Sequence, residues 1–170
     1  MKSLAVIFST VLIMMSTTCL ALELGIKAGL HNPTGDYGDY VDSGFTIGGQ
    51  ISSLINDFFS VGAHMAYNKT DYNFNDADVQ MIEFYPYADL YPLRTDKASI
   101  FIRTGIGINA WDIDYDDGVD LMIVGGVGMN FLQHLEILAL YNRVFEDHDD
   151  VDYFSFTIGY NFDLKHGLFH

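Results

Sequence analysis

The segment "FSFTIGYNFDL", from Phe154 to Leu164, alternates strictly between apolar and polar residues. Every second position carries an aromatic or aliphatic side chain, and the positions between them carry Ser, Thr, Gly, Asn and Asp. Because successive side chains of a β-strand point to opposite faces, the pattern predicts a strand with one apolar and one polar face.

The same alternation recurs along the chain, so the sequence predicts an all-β protein of eight strands. The connections between the strands are alternately short and long. In an up-and-down antiparallel meander, alternate connections lie at the same end, so we expect tight turns at one end and four longer loops at the other. The seven further strand segments are "LELGIKAGL", "FTIGGQI", "FSVGAHMAYN", "IEFYPYADL", "IFIRTGIGINA", "LMIVGGVGMNF" and "LEILALYNR".

The four longer connections, "HNPTGDYGDYVDS", "KTDYNFNDAD", "DIDYDDGVD" and "FEDHDDVD", are acidic. The whole chain has 23 Asp and Glu against 8 Lys and Arg, and a formal net charge of −15. With so few basic residues the protein cannot neutralise phosphates, so nucleic acid is excluded as a partner. The acidic residues predicted at the loop end are Asp36, Asp39, Asp42, Asp71, Asp76, Asp78, Asp112, Asp114, Asp116, Asp117, Asp120, Glu146, Asp147, Asp149, Asp150 and Asp152.

Residues 1–21 have the layout of a secretory signal peptide, with Lys2 ahead of an apolar run and Ala21 at the expected cut. A retained membrane anchor is a less favoured alternative because the apolar run is short. Acylation of Cys19, as in lipoproteins, is another. We therefore predict a signal peptide at 1–21, a barrel domain at 22–164 and a short tail at 165–170. The mature chain then lacks cysteine, so we expect neither a disulfide nor a thiolate metal site, and no cofactor.

Alternation alone does not say whether the apolar face looks into the barrel, as in a lipocalin, or outward to lipid, as in a membrane barrel. Nine glycines on the polar face favour the outward arrangement, because the interior of an eight-stranded barrel is narrow. These are Gly25, Gly29, Gly48, Gly62, Gly105, Gly107, Gly126, Gly128 and Gly159. Aromatic residues of the apolar face cluster near the strand ends, as in the two interfacial girdles of membrane barrels. The predicted loop-end girdle is Phe45, Tyr67, Tyr141 and Phe154, and the turn-end girdle is Phe59, Phe131 and Phe162.

Charged residues on the polar face support the same arrangement, because facing lipid is costly for them whereas inside a lumen they can pair. In hydrocarbon every backbone polar group also needs a partner, so the sheet must close. The predicted fold is therefore an eight-stranded antiparallel up-and-down transmembrane β-barrel. A salt-bridged interior is favoured over a gate or narrow pore, because side chains normally fill so small a barrel. The predicted barrel-interior charges are Glu23, Lys27, Glu83, Asp89, Arg103 and Glu136.

Together these features resemble the small outer-membrane β-barrels of Gram-negative bacteria, the OmpA/OmpX-type barrel domain. The last strand resembles the C-terminal signal that the barrel-assembly machinery reads. The matching positions are Thr157, Gly159, Phe162 and Leu164. The resemblance implies export, assembly by that machinery and insertion into outer-membrane lipid. Members usually end on the final aromatic residue, whereas this chain continues with "KHGLFH".

The segment "DIDYDDG" superficially matches an EF-hand loop, but Asp117 and Ile123 stand where that loop needs Gly and Glu. We therefore reject an EF-hand and favour solvated acidic loops, with weak binding of divalent cations as the alternative. The cation candidates are Asp112, Asp114, Asp116, Asp117, Asp149 and Asp150.

The predicted function is a structural or surface-interaction role through acidic extracellular loops, without catalysis, in a protein we expect to be a monomer. Divalent cations or a basic surface are the partners that such loops fit. None of the six histidines stands in the His-x-Ser arrangement of lipid A deacylases, so we predict no catalytic residue. The alternatives are a narrow porin-like channel for small solutes or ions, and a periplasmic lipocalin-like barrel that binds a ligand.

Overall fold

The computed structural model describes residues 22–39, 41–71, 78–95, 97–113, 116–132, 134–146 and 150–164. The predicted signal peptide at 1–21 and the tail at 165–170 lie outside the described residues. The described helical residues form no helix that is long and apolar enough to cross a membrane.

Eight strands form one closed sheet in which each strand pairs antiparallel with its chain neighbours and the last strand pairs with the first. This confirms the predicted eight-stranded up-and-down barrel. A four-residue helix, α1 (Gly35–Gly38), follows the first strand. The strands are β1 (Leu22–Thr34), β2 (Gly44–Asn56), β3 (Phe59–Asp71), β4 (Asp78–Arg94), β5 (Ala98–Ile113), β6 (Asp116–Phe131), β7 (Leu135–Phe145) and β8 (Val151–Asp163).

The strands are staggered around the barrel. A path that starts at Leu22 and steps from each residue to its paired neighbour on the next strand returns to β1 at Asn32, ten residues further along. A shear of this size in eight strands goes with a strand tilt of roughly 35–45°. Residues that lie at one height in the lumen are therefore not the residues that pair across the sheet, and the interior contacts follow from this stagger.

Short turns follow β2, β4 and β6, as predicted, and longer connections follow β1, β3 and β7. The prediction of a long acidic loop between β5 and β6 is wrong, because β5 continues to Ile113 and β6 already begins at Asp116. Trp111 explains the extension. A Cβ added to Gly118 would lie 2.6 Å from the Trp111 ring, and the indole Nε1 donates a hydrogen bond to Asp120 at 2.6 Å. These contacts hold β5 and β6 together in a segment whose aspartates, by their low strand propensity, favour a loop.

The apolar face looks outward and the polar face inward, as predicted. Outward side chains are widely exposed, for example Ile26 at 61% and Val127 at 57%, whereas inward Lys27 and Arg103 are 3% and 1% exposed. Several outward aromatic residues lie near strand ends, such as Phe45 on β2 and Phe162 on β8. Tyr141 packs on Phe154 on the outer surface at a ring separation of 5.2 Å. This exterior suits lipid, and the interior is a core of polar, aromatic and aliphatic side chains.

Glycine at position 128 makes room for the buried ring of Phe101. A Cβ added there would lie 2.1 Å from Phe101 Cζ, whereas a Cβ at Gly125, on the outward face of the same strand, meets nothing within 4 Å. We expect Gly128→Val to lower the free energy of unfolding by about 1–3 kcal/mol, as overpacking of a full core does. Gly125→Val is the matched control and should leave stability almost unchanged. Urea unfolding in detergent micelles measures both, and equal effects of the two variants would contradict the packing described.

Candidate functional site

Arg103 lies at the centre of a buried group of charges in the turn-end half of the lumen. Its guanidinium makes a two-pronged contact with Asp89, from Nε to Oδ1 and from Nη2 to Oδ2, both at 2.8 Å. The guanidinium carbon lies 3.7 Å from the centre of the Tyr87 ring. Two parallel charge-assisted hydrogen bonds fix both side chains in one geometry.

Glu136 completes this group, which we call the ion cluster: Lys27, Asp89, Arg103 and Glu136. Lys27 forms an ion pair with Glu136, and Arg103 Nη1 lies 3.9 Å from the same carboxylate. Gln50 links the two halves, because its Nε2 donates to Glu136 at 3.0 Å and its Oε1 accepts from Arg103 at 2.9 Å. Two positive and two negative groups therefore balance inside the barrel.

The partners of the ion cluster were only partly foreseeable from the sequence. Gln50 and Tyr87 were recognisable as inward-facing residues of their strands, but their pairing was not. Tyr87 donates to Gln50 at 3.1 Å, and Asn161 lies 3.4 Å from Glu136. These contacts join β2, β4, β7 and β8 across the lumen, so they depend on the stagger of the whole barrel.

A cavity of about 660 Å³ opens at the turn end. Glu23, half-buried, and Asp163 line it from directly opposite positions on β1 and β8. Ser60 also lines the cavity, and its Oγ lies 3.5 Å from Asp89 of the ion cluster. Ser60 therefore lies between the cavity and the ion cluster, whose own residues do not line the cavity.

A second polar layer lies in the loop-end half of the lumen, and we call it the outer chamber: His31, Asn68, Glu83, Asn109, Asn142 and Tyr153. All six side chains are buried, at no more than 5% exposure. Glu83 accepts hydrogen bonds from Asn68 and from the Tyr153 hydroxyl, the latter at 2.7 Å. The sequence placed Glu83 inside, and the structure separates it from the other interior charges.

The loop end carries an acidic rim. Within the described residues, its members are Asp39, Asp42, Asp71, Asp78, Asp112, Asp117, Asp120, Glu146, Asp150 and Asp152. Two outward basic residues lie among them, and each contacts an acid: Lys69 lies 2.6 Å from Asp78, and Arg143 lies 2.7 Å from Asp152. Negative charge therefore stays in excess over the described part of this end.

The predicted cation candidates are only partly brought together. Asp112 and Asp117 lie directly opposite each other on β5 and β6, both exposed. Asp150 lies 4.0 Å from Arg143. Asp114 and Asp149 lie outside the described residues, as does the side chain of Asp116. No group of three or more His, Cys, Asp or Glu placed to hold a metal ion occurs among the described residues, and weak cation binding stays a prediction.

The predicted assembly signal lies on the strand that closes the barrel. Thr157 and Gly159 face the lumen, and Gly159 pairs with Lys27 of β1. Phe162 is 47% exposed on the outer surface, and Leu164 directly follows β8. The four positions are therefore divided between the two faces of the sheet. That the barrel-assembly machinery recognises them stays a prediction.

The sequence profile of the family described as "Outer membrane protein beta-barrel domain" matches residues 5–162. The chain belongs to this family. Membership places the barrel in the outer membrane and agrees with its lipid-facing exterior. No curated protein matches the sequence significantly.

Solved structures of other outer-membrane barrels share the fold at low sequence identity. Neisserial surface protein A has 14% identity and a TM-score of 0.63, over 84% of this chain and 96% of that chain. The N-terminal β-barrel domain of Pseudomonas aeruginosa OprF has 12% identity and a TM-score of 0.54, over 84% and 99%. The outer membrane enzyme PagL has 14% identity and a TM-score of 0.51, over 84% and 99%. Because an enzyme shares the fold, family membership does not decide between catalytic and non-catalytic roles.

Proposed function

We propose that this outer-membrane barrel is non-catalytic and acts through its acidic rim, which binds a basic surface of another macromolecule. The observation that carries the proposal is the pair Asp112 and Asp117, held opposite each other on the exposed tip of the β5–β6 hairpin. Like charges in directly opposed positions destabilise a sheet. A positively charged partner relieves that repulsion, so the hairpin favours such a partner over neutral water.

The charge balance of the rim supports the same role. Lys69 and Arg143 are each engaged with an acid of their own, so they do not neutralise the hairpin. The rim thus presents a surface of one sign, which attracts basic partners and repels anionic ones.

The described histidines support a role without catalysis. His31 and His64 are buried and, among the described residues, neither ring has a serine or carboxylate partner. His134 donates a hydrogen bond from Nδ1–H to the backbone oxygen of Asn161 at 3.1 Å. A hydrolytic site needs a histidine that contacts both a nucleophile and an orienting acid, and none of these three is so placed.

Binding of a fluorescent decalysine peptide to the barrel in uncharged detergent tests the proposal. We expect saturable binding at low salt that weakens steeply as salt is raised, because the contact is between exposed charges. The double substitution Asp112→Asn and Asp117→Asn should weaken binding several-fold. The matched control, Asp57→Asn with Asp163→Asn at the turn end, should not. Equal binding by the parent and the rim variant would refute the role of the hairpin.

A narrow channel is the second candidate, and the turn-end cavity favours it because only the Ser60 side chain separates the cavity from Asp89 of the ion cluster. The cluster obstructs that path, so we expect no steady conductance from the parent protein in planar bilayers. A stable ohmic current would favour the channel instead.

A further inference from the structure

Glu83 is buried without a positive partner. Its side chain is 5% exposed, and none of the ion pairs among the described residues includes it. Asn68 and Tyr153 both donate to the same oxygen, Oε1. Two neutral donors on one oxygen leave the other oxygen and the net charge unmatched. Burial of an ionised carboxylate is strongly unfavourable unless a positive charge lies beside it.

Beside these two donors, a buried acceptor without a donor lies next to Glu83. Asn109 pairs directly with Glu83 across β4 and β5, and its Nδ2 is directed at Met81 Sδ, 3.6 Å away. Its Oδ1 is buried and has no hydrogen-bond partner among the described residues. Directly opposed residues have their Cβ atoms about 5 Å apart, so this amide oxygen and the carboxylate share one small space.

A second buried acceptor without a donor lies on the opposite wall of the outer chamber. Asn142 donates from Nδ2 to Ser155 at 3.3 Å, which leaves its buried Oδ1 without a partner among the described residues. His31 packs against Tyr153 at a ring separation of 4.2 Å, and neither of its ring nitrogens has a partner there. A neutral imidazole offers one further acceptor beside its one N–H donor.

The outer chamber is closed toward the loop end by apolar side chains. Val41, Val79 and Met81 form a buried cluster, and Trp111 packs against it. An ion held on the lumen side of these apolar side chains is therefore shielded from bulk solvent. Its attraction to a carboxylate is strong there because the effective dielectric constant is low.

We propose that the outer chamber binds one monovalent metal cation, Na⁺ or K⁺, between the carboxylate of Glu83 and the amide oxygen of Asn109. A single carboxylate matches a single positive charge, whereas a divalent ion would leave an excess charge buried. Carboxylate and amide oxygens are the ligands that hard cations take, and the described residues offer no cluster of His, Cys and acids for a transition metal. This inference does not depend on the acidic rim.

Urea unfolding of the full mature barrel in detergent tests the proposal, with Trp111 fluorescence as the signal because it is the single tryptophan and lies beside the chamber. The protein is unfolded in NaCl, KCl and N-methylglucamine chloride at equal ionic strength. We expect a higher midpoint in NaCl or KCl. At cation concentrations above the dissociation constant, the folded-to-unfolded ratio should rise about tenfold for each tenfold rise in the concentration of the cation that binds. Identical midpoints in all three salts would mean that the chamber binds no cation and would overturn the proposal.

Two variants locate the effect. Glu83→Gln keeps the size of the side chain but removes the charge, and it should abolish the difference between the salts. Asp57→Asn removes an exposed acid at the turn end, away from the chamber and the rim, and should retain the difference. If the dependence survives in Glu83→Gln, the cation binds elsewhere and the inference is wrong.

A crystal of the parent protein grown with Tl⁺ gives a measurement that does not require the variant to fold. The expected result is an anomalous peak between Glu83 and Asn109. An empty chamber in that map would overturn the proposal.

Discussion

Glu136→Leu is expected to lower the free energy of unfolding by about 3–5 kcal/mol, which is the usual cost of removing one partner from a buried ion pair. The substitution leaves Lys27 and Arg103 buried with Asp89 as the one acid of the ion cluster. It also removes one of the two acceptors of Gln50 Nε2. Urea unfolding in detergent, followed by Trp111 fluorescence and by the loss of heat-modifiable mobility on gels, measures the change.

The double substitution Lys27→Met with Glu136→Leu should recover a large part of that loss, because it removes both charges together. Lys69→Met is the matched surface control. It breaks an ion pair whose side chains are 34% and 41% exposed, and we expect little change in stability. A Glu136→Leu protein as stable as the parent would mean that water already screens the cluster.

Val127→Lys is expected to destabilise the membrane-embedded barrel by about 2–4 kcal/mol, the cost of a lysine near the bilayer midplane. Val127 faces outward on β6, between Phe131 of the turn-end girdle and Gly125, which pairs with Tyr141 of the loop-end girdle. The measurement is reversible unfolding from phospholipid vesicles rather than from detergent, because the penalty depends on the depth of the hydrocarbon.

Val119 offers a matched control on the same strand and the same face. The two valines are alike in exposure, 57% for Val127 and 65% for Val119, but Val119 lies near the outer tip of β6 between Gly118 and Asp120. Val119→Lys should therefore change stability little. Equal costs at the two positions would contradict the placement of the hydrocarbon layer between the two girdles.

Alternation of polarity was sufficient to predict eight strands and, where one face is clearly apolar, which side chains face the lumen, because period two is a local property of a strand. The pattern was weaker in β6 and β7, where both faces are partly apolar. It placed Lys27, Arg103 and Glu136 inside without any knowledge of their neighbours. It could not pair them, since Arg103 on β5 meets Asp89 on β4 and Gln50 on β2 through the shear of the closed barrel.

The β5–β6 hairpin was mispredicted for a different reason. Asp and Gly have low strand propensity, so "DIDYDDGVD" favours a loop on local grounds. The contact of Trp111 with Gly118, and its hydrogen bond to Asp120, override that preference. Tertiary contacts of this kind form between residues whose partners the local pattern does not specify.

Closure of the barrel by β1 and β8 has a consequence for biogenesis. The other seven pairings join strands that are adjacent in the chain, whereas β1 pairs with β8, for example Leu24 with Phe162, only after the last strand has been synthesised. Until β8 is made, β1 exposes an unpaired edge that can capture other chains, and the ion cluster, which spans β1, β4, β5 and β7, lacks its enclosing wall. A chain truncated before β8 is therefore predicted to be degraded by periplasmic quality control and not to form a partial barrel. The reason is topological, since the sheet can close only when the last strand pairs with the first.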